Sequence, residues 1–451
     1  MNRVPMTAPM PPKADSPEGT ATAPPRVAWP LELEPAEVRA RLRWARRQGH
    51  PRYLWPDVPV AEWRSALREL ESVVAAVLRG DPARIGCGAA GVRALGVAGF
   101  TSGVGPLVGR WVEEGRVDAP DPLAELYRLH LWHGRERAAR QARDLERVIR
   151  ALSAEGIQPL VVKSAHIARE YYPDAGARPA VDVDVVVPAA RFTAAERALR
   201  TAGYLLAVRQ HRPPKSDWLP PGVEAYPRSL ELLHAGSQYG VDLQASLDRN
   251  FFGVRTVRPA AVESAPHRRA RGLLGSARVL DQPVLLAYQA LHASEGLHAT
   301  TLIRLVDLVL IARRDTETGR LDWDALGALL ERSGGERFAY PALALVERLA
   351  PGTIPCTVLG RLERAAPRRM RTVVAAVSPA TAQRPDSLSV RERFMWCATP
   401  GDHLRRLVHM LVPAPAGRSV RRLAGHYVER AYRIVRGRVR LGGVSPGTAR
   451  E

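Results

Sequence analysis

The spacing of apolar residues predicts a helical part, then a part with strands, then a second helical part. From Glu34 to Arg150 apolar residues recur every three or four positions, which is the period of an α-helix. The clearest run is Leu123, Leu126, Tyr127 and Leu131. After Pro283 the helical spacing returns, with stripes such as Leu302, Leu305, Val306 and Val309. We therefore expect helices on both sides of a central unit.

In the central unit the period changes at Gly156 to the alternation that is typical of β-strands. The predicted elements are a strand at Ile157–Val162, a helix at Ala165–Tyr172, a strand at Val181–Val187, a helix from Pro188 to Gly203, and an antiparallel hairpin of strands Ser229–Leu233 and Tyr239–Leu243. This order predicts an α+β fold, in which a small mixed β-sheet core is flanked by helical N-terminal and C-terminal regions.

Composition and period together divide the 451 residues into five segments. They are a disordered Pro-rich leader at residues 1–30, a helical region at 31–152, an α/β core at 153–255, a second helical region at 256–345, and a basic helical region at 346–451. The leader is rich in Pro, Thr and Ala and has little apolar surface to bury, which favours disorder.

The formal net charge of +20 favours polyanionic partners such as nucleic acid or an acidic lipid surface. Genomic nucleotide composition can produce the same excess of arginine without selection for binding, so both explanations stay open.

The three cysteines are odd in number and far apart, which predicts no disulfide framework. No apolar run reaches the roughly 18 residues that span a bilayer, and no secretory signal is visible. These features predict a cytoplasmic protein.

Arginine is dense from Arg418 to Arg440, where Tyr427 and Tyr432 are interspersed among the basic residues. This pattern suits an RNA-contacting or membrane-surface helix. It also suits a docked amphipathic helix whose arginines face water, because the apolar stripe is regular. The sequence does not indicate an oligomeric state.

Two aspartates in the second predicted strand are the first sign of a chemical site. In Val181-Asp182-Val183-Asp184-Val185 the side chains alternate, so Asp182 and Asp184 project from the same face. Neighbouring carboxylates repel each other unless a cation lies between them, and two divalent ions about 3.5–4 Å apart would suit this pair. Asp242, in a similar apolar alternation, is a candidate third ligand or general base.

A lysine and an arginine accompany the aspartates. Lys163-Ser164 ends the first strand where a helix starts, and helix N-termini favour phosphate. Arg178 precedes Asp182 by four residues and adds positive charge for the same anion. The chain has 66 Lys plus Arg but only three lysines, so 66 − 3 = 63 are arginines and the lysine at 163 stands out. An isolated Asp-x-Asp fits a solvated strand, but this combination favours a phosphate and metal site.

The segments Leu160–Ser164 and Arg178–Asp184 resemble the signature of a bacterial family of uncharacterised nucleotidyltransferases, within the DNA polymerase β-like nucleotidyltransferase superfamily. That signature is an apolar strand ending in Lys-Gly, then a helix, then Arg-x-x-x-Asp-x-Asp. The resemblance covers roughly Leu123 to Arg332. The chain departs from the pattern in having serine at Ser164, where glycine is usual, and Gln244, where a histidine often follows the third acid.

The resemblance implies a role for each matching residue. Asp182 and Asp184 would hold two Mg²⁺ ions, and Asp242 would complete the acidic set. Lys163, Ser164 and Arg178 would meet the phosphates of an NTP such as ATP. It also implies that the helical segment after the sheet, residues 256–345, covers the nucleotide site.

The expected activity is Mg²⁺-dependent transfer of a nucleoside monophosphate from an NTP to an acceptor hydroxyl, with release of pyrophosphate. The acceptor is a small molecule, a peptide or tRNA. One alternative is a nucleotide-sugar glycosyltransferase that uses the Asp-x-Asp pair. Another is a catalytically inactive relative that binds nucleic acid through its basic surface.

Two further groups of polar residues lie on predicted helices. His292, Glu295 and His298 are three and six positions apart, which does not match the spacing of a helical zinc site. We expect His292 to lie in the core or to line the active-site cleft. Arg304 and Asp307, three positions apart, are expected to pair on a helix surface.

Overall fold

The computed structural model describes residues 58–86, 89–211, 213–222, 239–270, 277–383 and 390–411. Three predicted features lie outside these residues: the leader at 1–30, the strand at Ser229–Leu233, and the basic stripe from Arg418 to Arg440. None of the described helices is both long and apolar enough to cross a bilayer.

The N-terminal part is helical, as the apolar spacing predicts. Its helices are α1 (Val60–Arg79), α2 (Ala89–Ser102), α3 (Gly105–Glu113) and α4 (Asp121–Ala154). Helix α1 buries its apolar side, including Trp63 and Leu70, and ends where Gly80 adopts the left-handed conformation with φ 92°. Two short strands, β1 (Ala83–Arg84) and β2 (Val117–Asp118), form a separate parallel pair.

A mixed sheet of seven strands forms the centre of the described molecule, which confirms the predicted α+β fold. Its strands are β3 (Leu160–Val162), β4 (Asp182–Val186), β5 (Leu205–His211), β6 (Pro214–Leu219), β7 (Gly240–Gln244), β10 (His267–Arg269) and β11 (Arg278–Leu280), in the spatial order β10-β11-β3-β4-β7-β6-β5. Strands β8 (Arg249–Phe251) and β9 (Arg255–Val257) pair separately. Between the strands lie helices α5 (Ser164–Tyr171) and α6 (Phe192–Thr201).

The strand partners differ from the predicted hairpin. Strand β7 lies between β4, to which it is parallel, and β6, to which it is antiparallel. Strands β5 and β6 form a hairpin that apolar alternation did not reveal, because β6 carries Lys215, Ser216 and Asp217. Strands β10 and β11 are also additional, and β10 consists of one histidine and two arginines.

The two faces of the sheet bury different residues. Val183, Val185, Val241 and Leu243 belong to a core that includes Leu145 and Ile149 of α4 and Leu199 of α6. The opposite face contributes Leu160, Val162 and Val186 to the larger core, which is built mainly from the flanking helices. The side chains of Asp184 and Asp242 lie on this second face, because strand residues two apart share a face.

The C-terminal part is again helical. Its helices are α7 (Val284–Glu295), α8 (Leu302–Glu317), α9 (Trp323–Ser333), α10 (Glu336–Leu349), α11 (Cys356–Ala365), α12 (Arg368–Ala375), α13 (Val390–Arg393) and α14 (Pro400–Leu411). Apolar residues of α7 and α8 belong to the same core as Leu160 and Val186 of the sheet. Helices α7 and α8 therefore adjoin the sheet face that carries the aspartates.

Candidate active site

Three aspartates converge on one face of the sheet. Asp184 of β4 is directly opposite Asp242 of the parallel strand β7, and Asp182 lies two residues before Asp184. One carboxylate oxygen from each residue lies within 4.8 Å of the others. The predicted alternation thus brings Asp182, Asp184 and Asp242 together as a group that could hold a metal ion.

The two inner carboxylates retain oxygen atoms that accept no hydrogen bond. The exposed fraction is 1% for Asp184 and 3% for Asp242. Among the described residues, Asp184 Oδ2 and Asp242 Oδ1 are buried without a hydrogen-bond partner. Burial, and then the charge of Asp184, raise the pKa of the Asp242 carboxyl. Buried, unpartnered carboxylate oxygens are costly on their own and are the hard ligands that Mg²⁺ prefers, so these residues fit such an ion.

The remaining carboxylate oxygens are held by lysine and glutamine. Lys163 Nζ donates to Asp184 Oδ1, and Lys215 Nζ donates to Asp242 Oδ2 at 2.7 Å. Gln244 Nε2 donates to Asp184 Oδ1 at 3.2 Å and to Asp242 Oδ2 at 2.9 Å. Gln244 therefore bridges and orients both acids. Sequence reasoning missed the role of Lys215, although the rarity of lysine was a usable signal.

Lys163 occupies an unusual backbone position between β3 and α5. Its φ of 57° and ψ of −131° lie in a region that non-glycine residues seldom adopt. Such strain persists only where the surrounding structure enforces it, and it is concentrated at functional sites. Burial lowers the pKa of Lys163, but the charge of Asp184 and smaller contributions outweigh it and leave the pKa raised. The predicted turn is present, and Ser164 begins α5 directly after it.

Arg178 is engaged by a different acid. Its Nε and Nη2 donate to the carboxylate of Asp307 on α8, with the shortest distance 2.6 Å, and its Nη1 donates to the carbonyl oxygen of Pro179 at 3.0 Å. Tyr172 donates its hydroxyl to Asp307 Oδ1 at 2.8 Å. The expected surface pair of Arg304 and Asp307 is wrong, because Asp307 is buried against Arg178. The phosphate role of Arg178 stays a prediction.

The comparison with protein families agrees with this geometry. The model of a family described as "Uncharacterised nucleotidyltransferase" matches residues 99–351, which is more than half of the chain. The chain belongs to this family. The resemblance inferred from the sequence motif is thereby confirmed at the level of the family. The comparisons with curated proteins and with solved structures gave no match.

Three further basic residues lie near Lys163 or the aspartates, and sequence reasoning did not assign them to phosphate. Arg249 of β8 lies with its guanidinium carbon 4.5 Å from the ring centroid of Tyr288 on α7. Burial, and then the charges of Arg249, Lys163, Arg304 and Arg178, hold the pKa of His292 well below its usual value. The neutral imidazole is therefore the favoured form of His292 beside these cationic groups, and its position in the cleft stays a prediction.

Arg304 of α8 belongs to the same cluster. Burial, and then the charge of Arg178, lower the pKa of its guanidinium, while Asp182 and Asp307 act in the opposite direction. Apolar periodicity gave no sign of these roles. Arg249 follows Asp242 by seven residues, and Arg304 is flanked by apolar residues at the start of α8.

Proposed function

We propose that the chain is a Mg²⁺-dependent nucleotidyltransferase that moves a nucleoside monophosphate from an NTP to an acceptor hydroxyl and releases pyrophosphate. The observation that carries the proposal is the convergence of Asp182, Asp184 and Asp242, with two buried unpartnered oxygens, in a member of a nucleotidyltransferase family. The strand, turn and helix at Lys163, followed by the Asp-x-Asp strand, support a relation to the DNA polymerase β-like superfamily.

Asp182 and Asp184 would hold Mg²⁺, with Asp242 as the third acid. When bound, Mg²⁺ would neutralise phosphate charge and lower the pKa of the attacking hydroxyl. The chain's own residues hold the acids in place: Gln244 bridges Asp184 and Asp242, and backbone pairing of β4 with β7 sets their separation.

The transfer balances without a further reactant. The acceptor oxygen forms a bond to the α-phosphorus of the NTP, the bond from that phosphorus to the bridging oxygen breaks, and pyrophosphate leaves with the electron pair. Asp242 takes the proton of the acceptor hydroxyl. Because such a displacement needs little covalent chemistry from the protein, catalysis depends on positioning and charge.

The test is transfer of label from α-labelled NTPs, with Mg²⁺, to acceptors in a whole-cell extract. We expect the double variant Asp182→Asn, Asp184→Asn to lose transfer and to lose the rise in thermal midpoint that Mg²⁺ gives the unaltered protein. Asp324→Asn, on the exposed first turn of α9, is the matched control and should retain both.

The results separate the alternative functions. Label transfer that persists in the double variant would remove these acids from the mechanism. Hydrolysis of UDP-sugars or GDP-sugars with Mn²⁺, without transfer from NTPs, would favour a glycosyltransferase. Binding of RNA with steep salt dependence, without any NTP binding or pyrophosphate release, would favour an inactive nucleic-acid-binding relative.

A further inference from the structure

We propose that Arg249, His292 and Arg304 form the subsite that holds the triphosphate of the nucleotide, and that Arg178 positions this subsite through Asp307. The inference rests on the proposed function, because the ligand is the NTP of that reaction. It differs from the sequence expectation, which gave the phosphate contact to Arg178.

Lys163, Lys215 and Arg178 already pair with carboxylates. Arg249, His292 and Arg304 therefore remain as the basic groups that can bind an anion. Lys163 and Lys215 pair with Asp184 and Asp242, and Arg178 pairs with Asp307. The Nη2 of Arg249 donates to the hydroxyl of Tyr288, and its Nη1 lies 3.9 Å from a carboxylate oxygen of Glu295, so no carboxylate makes a close pair with it. Within the part of the chain that the structure describes, Arg304 has no carboxylate within 4.0 Å of its guanidinium. A largely buried guanidinium without a carboxylate partner is costly unless an anion approaches it.

Several buried polar atoms on β8, α7 and the start of α8 also lack a hydrogen-bond partner. Among the described residues, Arg249 Nε, Gln289 Nε2, His292 Nδ1 and Thr301 Oγ1 are buried and make no hydrogen bond. The exposed fractions of Gln289 and Thr301 are 6% and 4%. Native proteins pair nearly all buried polar groups, so unpaired atoms on β8, α7 and the start of α8 indicate a polar ligand.

The start of α8 adds a second feature that favours an anion. Thr301 is the N-cap of this 16-residue helix, and its side chain makes no capping hydrogen bond. Arg304 lies in the first turn, where the unpaired N–H groups and the helix dipole favour negative charge. Gly103 lies next to Ile303, in the same turn, and also next to Pro179. The start of α8 therefore lies beside the segment that leads into Asp182.

Arg178 acts on the subsite through the helix. Asp307 and Arg304 are three residues apart on α8, so they lie on neighbouring positions of one face. The ion pair of Arg178 with Asp307, reinforced by Tyr172, holds α8 against the segment that leads into the strand of Asp182 and Asp184. Arg178 is thus a positioning residue. Guanidinium groups bind phosphate oxygens in a forked geometry, which makes Arg304 and Arg249 suited to a triphosphate.

The experiment measures binding of inorganic tripolyphosphate, and of each NTP with Mg²⁺, by titration calorimetry on the full chain. Arg304→Gln should weaken tripolyphosphate binding by about 10- to 100-fold, as loss of a charge-assisted hydrogen bond implies. Arg332→Gln, an exposed site on α9, makes the same charge change and should leave the affinity unaltered. Equal affinities for Arg304→Gln and the unaltered chain would overturn the inference.

His292→Asn provides a second measurement if Arg304→Gln does not fold. It should also weaken tripolyphosphate binding, and unchanged binding in this variant would count against the subsite.

The positioning role of Arg178 is tested by a double-mutant cycle on tripolyphosphate affinity. Asp307→Asn should weaken tripolyphosphate binding in the unaltered chain but not when Arg304 is already glutamine. Equal effects in both backgrounds would exclude the positioning role.

Failure of this inference and failure of the proposed function give different results. Label transfer with an unchanged KM for NTP in Arg304→Gln would overturn the subsite and leave the function standing. Tripolyphosphate binding that depends on Arg304, without any label transfer, would support the subsite and count against the function. Absence of binding to both tripolyphosphate and NTPs would overturn both.

Discussion

The buried ion pair of Arg178 and Asp307 allows a quantitative prediction. The exposed fractions of the two side chains are 8% and 4%, so water screens their interaction little. Asp307→Asn removes the negative charge but keeps an oxygen that can accept from Tyr172. The guanidinium of Arg178 is then left buried without a counter-charge. We expect the free energy of unfolding to fall by about 3–5 kcal/mol, the usual cost of breaking a buried pair from one side.

The assay is urea unfolding followed by far-UV circular dichroism, with the change in midpoint converted through the measured slope. The control is Asp81→Asn, which removes the partner of Arg79 in a pair whose side chains are 49% and 59% exposed. This exposed pair should be worth about 0–1 kcal/mol. A second control, Arg178→Met with Asp307→Leu, should recover most of the lost stability because no unpaired charge remains.

A cost of Asp307→Asn no greater than that of Asp81→Asn would contradict the prediction. A double replacement as unstable as Asp307→Asn alone would contradict it as well. The first result would mean that water reaches the pair. The second would mean that the cost does not come from an unpaired charge. In either case the pair would not hold α8 in place.

Three further predictions concern other parts of the chain. Asp242→Asn should raise the thermal midpoint measured in EDTA, because burial and a neighbouring carboxylate disfavour the ionised acid. The same variant should lose the further rise that Mg²⁺ gives the unaltered protein. An unchanged response to Mg²⁺ would contradict the metal assignment. Gly134→Ala should destabilise the folded protein, because a Cβ there would lie 2.1 Å from the carbonyl oxygen of Gly176. At Gly360, on helix α11, a Cβ has open space, so Gly360→Ala should stabilise the protein by about 0.5–1 kcal/mol. Thermal unfolding checks both variants. Burial lowers the pKa of His130 to about 3, so the unfolded chain binds a proton at a higher pH than the folded chain does. The free energy of unfolding should therefore fall as the pH drops from 6.5 towards 3. His130→Gln should flatten this part of the pH profile, and an equal slope in both proteins would contradict the prediction.

The local part of the site was predictable from the sequence. Alternation in Val-Asp-Val-Asp-Val places Asp182 and Asp184 on one face, and the same period at Asp242 predicts that it can join them. The structure has these three residues together. Such inferences work because a strand fixes the direction of its side chains over short distances.

The distant parts of the site were not predictable from apolar spacing. Arg249, His292 and Arg304 belong to β8, α7 and α8, and only the packing of these distant elements brings them near the site. Arg304 and Asp307 have the spacing of an exposed helix pair, but the burial of α8 reverses that interpretation. Strands β6 and β10 were missed because polar and basic residues interrupt the alternation that marks a strand.

The lysines at this site offer a selective chemical handle. Lys163 and Lys215 contact the two buried aspartates, and Lys13 is the only other lysine in 451 residues. Reagents that acylate primary amines ignore guanidinium groups, so nearly all other basic side chains would remain unmodified. Because 34% of the Lys215 side chain is exposed against 11% for Lys163, acylation should begin at Lys215. Mass spectrometry of two peptides would therefore follow the occupancy of the cleft directly.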